Sequence, residues 1–148
     1  MNALKISELI PNRPPYLWVD LVVEVKNESI HTRKFISPDL PVFQGHYPGN
    51  PVFPASLQCE CAFQASAILI ASLGVSTAGT IPVVARTNDL KFRKVVRPGP
   101  WLDVHVDLQN TFKDVFYLKA RILRDDECVS SLTFVTTAAD LPDDEVSK

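Results

Sequence analysis

The chain has 148 residues, 46% of them apolar and 22% charged, which suits one core-forming domain and is too apolar for a disordered segment. Fifteen Lys and Arg stand against 17 Asp and Glu, a net charge of −2, so the global positive field behind nonspecific nucleic-acid binding is missing and no nucleic-acid partner is expected. The three cysteines, Cys59, Cys61 and Cys128, have neither a disulfide-framework nor a metal-ligand spacing, and the opening Met1-Asn2-Ala3-Leu4-Lys5 lacks the basic-then-apolar run of a secretory signal; a soluble cytoplasmic protein is the expectation.

In chain order, Leu17 to Lys26 and Ser29 to Ile36 read as strands separated by a turn at Asn27-Glu28. Residues 11 to 54 carry eight of the twelve prolines, which predicts rigid irregular connections there rather than helix. From Ala55 to Leu73 proline and glycine are absent and helix formers recur, with Gly74 as a C-cap, so one helix is predicted. Its apolar residues cover nearly the whole circumference, marking a helix buried on most sides. A membrane span is the competing reading, but Gln58, Glu60 and Gln64 interrupt it and leave too short an apolar run.

Arg97-Pro98-Gly99-Pro100 predicts a turn into Trp101 to Leu108, which alternates with period two, as do parts of 115 to 123 and 128 to 136. Asn110 to Asp114 and Arg124 to Glu127 separate these runs. One central helix and about six strands predict an α+β domain over residues 1–148, an antiparallel sheet curled around the helix, with residues 139–148 as a flexible acidic tail. His31 and His105 fall in alternating strand segments and read as surface or packing residues. Cys59 and Cys61 point to different sides of the helix and read as core.

The charge is unevenly spread. Residues 40 to 85 contain a single Asp, Glu, Lys or Arg, and it is Glu60. A lone carboxylate in a long apolar segment needs a partner, a proton or a function. Ahead of the helix stands Gln44-Gly45-His46-Tyr47-Pro48-Gly49-Asn50-Pro51-Val52-Phe53-Pro54, so His46 and Glu60 lie fourteen positions apart with the helix N-terminus between them. Proton abstraction next to a carbonyl needs three such parts: a base of near-neutral type, a carboxylic acid kept protonated by an apolar site, and backbone N–H donors for the developing enolate.

His46-Tyr47-Pro48-x-x-Pro51-x-x-Pro54 followed by Glu60 resembles the active-site signature of the FabZ-type β-hydroxyacyl-acyl-carrier-protein dehydratases, relatives of FabA with the hotdog fold. Glu60-Cys61-Ala62-Phe63-Gln64 resembles the family's Glu-x-x-x-Gln helix pattern. Leu9 to Asp20 resembles its N-terminal segment, and Leu90-Lys91-Phe92-Arg93 with Val96-Arg97-Pro98-Gly99 its strand and turn after the helix. The resemblance spans roughly residues 4 to 137. It implies that His46 removes the α-proton of a (3R)-hydroxyacyl thioester while Glu60 protonates the departing hydroxyl, giving the trans-2-enoyl thioester. No metal or organic cofactor is implied. The two residues are expected from different subunits, hence a homodimer, with a heterodimer of related dehydratases as the other assembly. Gln64, one turn beyond Glu60, either orients the carboxyl group or satisfies a nearby backbone group.

Most members have Gly then an aliphatic residue after the third proline, where this chain has Ala55 and Ser56. Ala55 can supply the oxyanion N–H unless a positive φ is needed there. Ser56 either caps the helix or puts a hydroxyl into the acyl channel. The departure points to a specialised relative, as in a polyene or polyketide-like pathway, and keeps open a low-activity acyl-binding subunit; a hotdog thioesterase is a third reading. The window Arg86 to Arg97 holds Arg86, Lys91, Arg93, Lys94 and Arg97 against Asp89, a net of +4, and reads either as a docking site for an acidic acyl carrier protein or as a solvated strand face.

Overall fold

A computed structural model describes residues 3–75 and 79–141. In chain order it contains α1 (Ala3–Leu9), β1 (Leu21–Val25), β2 (Ser29–Phe35), a 3-10 turn (Pro41–Gln44), α2 (Ala55–Ser72), β3 (Thr80–Phe92), β4 (Trp101–Phe112), β5 (Val115–Arg124) and β6 (Glu127–Asp140). The strands form one antiparallel sheet in the order β1-β2-β4-β5-β6-β3, which packs on α2, as the α+β reading expects. Period-two alternation drives the central strands: Leu102, Val104 and Val106 of β4 and Phe116, Leu118, Ala120 and Ile122 of β5 are buried, while Asp103, His105, Lys119 and Arg121 stand on the outer face.

Helix α2 starts directly after Pro54, whose extended backbone (φ −59°, ψ 140°) ends the proline-rich stretch. It ends at Gly74, whose φ of 68° only glycine adopts without strain. Between them, Cys59, Cys61, Ala62, Ala65, Ile68, Leu69 and Ile70 are buried. The partly open residues of its central turns, Leu57, Glu60, Phe63, Ala67 and Ala71, recur every three or four positions and so form one stripe along the helix. No helix among the described residues is long and apolar enough to cross a membrane.

Four features depart from the sequence reading. Helix α1 was not expected; Ile6, on it, is fully buried. Strand β1 begins at Leu21 rather than Leu17, because the Trp18 N–H donates to the Gln64 side chain (2.7 Å) instead of to a neighbouring strand. Strand β3 runs for 13 residues at the sheet edge, pairing with β6 alone. Two register shifts, Asp89 at φ 52° and Pro82 break its alternation, and a proline is tolerated there because an edge strand has a free side. Finally, β4 and β5 continue to a tight turn at Lys113-Asp114, and Asp140 pairs with Thr80, so residues 139 and 140 belong to the sheet rather than to a tail; residues 142–148 lie outside the described ones.

The remaining turns fall where expected. Gly99 (φ 119°) turns the chain into β4 and donates to Ile36 O (2.8 Å), and Asp125-Asp126, both at positive φ, joins β5 to β6. His31 and His105 are register partners whose rings stack at 4.1 Å on the outer face, with His31 Nε2 2.7 Å from Asp103 Oδ1. The cysteines are free, and Cys59 and Cys61 are core.

Phe53 docks the proline loop onto this core. It is 1% exposed, packs against Trp18 and Phe43, and its N–H donates to Val96 O (2.7 Å). Phe53→Ala is expected to cost about 3–5 kcal/mol in a urea titration; a loss below 1 kcal/mol would mean the loop is anchored elsewhere.

Candidate active site

His46 leaves the 3-10 turn with its N–H donating to Val42 O (3.0 Å), and its carbonyl accepts the Val52 N–H (2.9 Å), which closes the proline-framed loop. Its ring Nδ1 lies 2.8 Å from Val52 O. A carbonyl only accepts, so Nδ1 carries a proton, and in the neutral ring Nε2 is then the nitrogen with the lone pair. The ring also stacks on Tyr47 (4.1 Å). Arg97 steadies the same loop through Asn50 Oδ1 (2.6 Å).

Ala55 opens α2 as its first helical residue, so its N–H has no acceptor within the helix. It is not among the residues with positive φ, and the strain that alanine in place of glycine threatened does not arise. Ala55 lines a groove of about 210 Å³ with Val52, Gln58, Phe92 and Val95, flanked by Arg93 and Lys94. Ser56 is exposed, does not cap the helix, whose N-cap is Pro54 without a side-chain bond, and lines neither this groove nor the one at Glu60.

Glu60 stands on the partly open stripe of α2 and faces a second groove, of about 380 Å³, between α2 and β3. Burial pushes its carboxyl group above the usual glutamate range, and a hydrogen bond from Gln64 Nε2 to Oε1 (3.1 Å) opposes part of that rise. The two roles considered for Gln64 are both filled. The same Nε2 donates to Tyr16 O (3.0 Å), while Oε1 accepts the Trp18 N–H (2.7 Å). With Gln64 2% exposed, its amide joins the carboxyl group to the N-terminal segment. These backbone partners, like Val52 O for His46, left no trace in residue type or spacing, since every residue has a carbonyl.

Ala55 lines one groove and Glu60 and Gln64 another, and His46 lines neither of the two.

The basic window divides. Lys91 and Arg93 share a groove with Lys119 of β5, which was not singled out in the sequence. Lys94 pairs with Glu127 (2.6 Å) and Arg97 holds the His46 loop, while Arg86 is exposed on β3 away from that groove. No cluster of potential metal ligands occurs among the described residues.

The raised Glu60 pKa has a stability consequence. The folded state holds the proton more tightly than the unfolded chain, so stability is fully present below the ordinary glutamate pKa and falls as pH rises through the folded-state value. Glu60→Gln, which has nothing to ionise, is therefore expected to equal the native protein in acid and exceed it at neutral pH in parallel denaturant titrations. A neutral-pH stability below native would contradict the assignment.

Comparison with known proteins agrees with this geometry. A family model described as a FabA-like domain matches residues 10–133. A 3-hydroxyacyl-acyl-carrier-protein dehydratase FabZ of Lactiplantibacillus plantarum is 38% identical over 143 residues, 95% of this chain and 97% of its own length. The FabZ of Novosphingobium aromaticivorans is 35% identical over 141 residues, 94% of this chain and 89% of its own. The dehydratase heterocomplex ApeI:P from Xenorhabdus doucetiae shares the fold, with a TM-score of 0.76 at 14% identity over 95% of this chain and 93% of that one. A hypothetical thioesterase from Streptococcus pneumoniae shares it with a TM-score of 0.64 at 10% identity, over 81% and 85% of the two chains. With the site motif on the expected loop and helix and the relatives aligned over nearly the whole chain, this protein belongs to the FabZ-type branch of the FabA-like dehydratases and has their hotdog fold.

Proposed function

We propose that the chain dehydrates a (3R)-hydroxyacyl thioester on acyl carrier protein to the trans-2-enoyl thioester, in fatty-acid or related biosynthesis. The observation that carries this is the pair of prepared proton-transfer groups. His46 is oriented through Nδ1 so that Nε2 is left for the substrate, and Glu60 is a carboxyl group whose burial favours its acid form. His46 removes the α-proton, and the freed electron pair moves onto the thioester carbonyl, where the Ala55 N–H at the positive end of α2 meets it. The pair then forms the double bond as the β-hydroxyl leaves with the Glu60 proton as water. The proton on His46 returns to Glu60 through solvent, and no oxidant or cofactor is consumed.

The unit of function is a pair of single hotdog domains. Strand β3 is the edge of the sheet among the described residues and exposes Val84, Leu90 and Phe92, a template for a second chain. Two copies joined antiparallel at β3 would place the His46 loop of one over the Glu60 groove of its partner, which would bring the two groups to one substrate. A homodimer is the simplest such assembly. An acidic carrier protein is read by Lys91, Arg93 and Lys119. The free thiols suit a reducing cytoplasm.

Incubation with a 3-hydroxyacyl carrier protein should yield the enoyl product, read by mass as loss of one water; free acid instead would mean a thioesterase, and no reaction in either direction would leave only an acyl-binding subunit. His46→Ala and Glu60→Gln should each abolish turnover while remaining folded. Mixing the two inactive variants under subunit exchange should restore up to about a quarter of native activity, since half the dimers are mixed and each has one intact site; no recovery despite exchange would place both residues in one subunit. Lys91→Glu combined with Lys119→Glu should raise KM for carrier-bound substrate and leave a short pantetheine thioester unaffected.

A further inference from the structure

The Glu60 groove does not end at the helix midpoint. A second, more enclosed pocket lies further along α2, lined by Ile70, Phe116 and Ala138 and closed by the Lys113-Asp114 turn. Ile81 and Pro82 of β3 line both cavities. The order of lining residues is consistent along both elements. On α2 the groove carries Glu60, Phe63 and Ala67 and the pocket Ile70; on β3 the groove carries Val84 and Val83 and the pocket Thr80. Both spaces follow the same order along α2 and β3 and share the Ile81-Pro82 wall, which points to consecutive segments of one path with that pair between them.

We propose that Ile81 and Pro82 set the acyl chain length, holding the substrate to medium chains, an inference that rests on the dehydratase reading. At a rise of about 1.5 Å per residue, Glu60 to Ala67 spans about 10 Å and Glu60 to Ile70 about 15 Å. An extended hydrocarbon built from bonds of about 1.5 Å advances about 1.25 Å per carbon. With C3 at Glu60, where the hydroxyl leaves, the tail reaches Ala67 at about the eleventh carbon and would need about fifteen to reach Ile70. The deep pocket offers about 30 Å³, against the roughly 10–15 Å³ that one water requires by the same measure. It takes no further run of methylenes unless the bar is removed. Both bar residues are half-buried.

The test is kcat/KM for 3-hydroxyacyl carrier proteins from four to sixteen carbons. Native protein should be fastest near ten carbons and lose about tenfold or more by sixteen, the scale on which an apolar pocket rejects surplus methylenes. Ile81→Ala should raise the ratio of the sixteen-carbon to the eight-carbon kcat/KM about tenfold, and Ile70→Trp added to it should remove that gain. A native rate that stays level to sixteen carbons overturns the proposal whether or not the variants fold, as does a folded Ile81→Ala protein with an unchanged profile. No turnover at any length would instead refute the dehydratase reading.

Discussion

The arrangement depends on covering one apolar helix. Helix α2 is hydrophobic nearly all round, so leaving any side in water would cost free energy in proportion to the area exposed. The curled sheet covers one side, and α1 with the segment through Trp18 covers another. What remains is the stripe from Leu57 through Glu60, Phe63 and Ala67 to Ala71, bordered by the edge strand β3. A helix this apolar with one open stripe leaves a greasy groove, and the groove is where the carboxyl group stands.

Gln64 couples that groove to the rest of the molecule. A buried amide must satisfy its donors and acceptor, and Gln64 does so by joining three things distant in sequence: the Glu60 carboxyl, the Tyr16 carbonyl and the Trp18 N–H. Trp18 is held in turn by packing on Phe53, and Lys34, under its ring, pairs with Asp20. Position and protonation of Glu60 therefore depend on the same contacts that close the core.

The division of the site follows from topology. His46 sits on a loop that ends at the α2 N-terminus, whereas Glu60 lies a turn and a half further on, facing the β3 side. The loop is braced by backbone bonds at both ends and by Arg97, and the half-buried imidazole is held in turn by Val52 O and the Tyr47 ring.

Much of this was legible in the amino-acid order. The lone Glu60 in 46 residues, the proline-framed His46, the proline-free helix and the alternating β4 to β6 are local signals, because helix formation, turn chemistry and period-two burial act within a few residues of chain. Strand β3 was only glimpsed near Leu90 to Arg93, because bulges and one-sided pairing scramble an edge strand's alternation. Helix α1 is short, and packing rather than propensity holds it. The tertiary structure alone decided the His46 tautomer, the double duty of Gln64, the ordinary backbone at Ala55, the split of the basic window, and the wall that Ile81 and Pro82 give the Glu60 groove. Each of these depends on a backbone atom or a wall brought from far along the chain, and such partners have no signature in residue type or spacing.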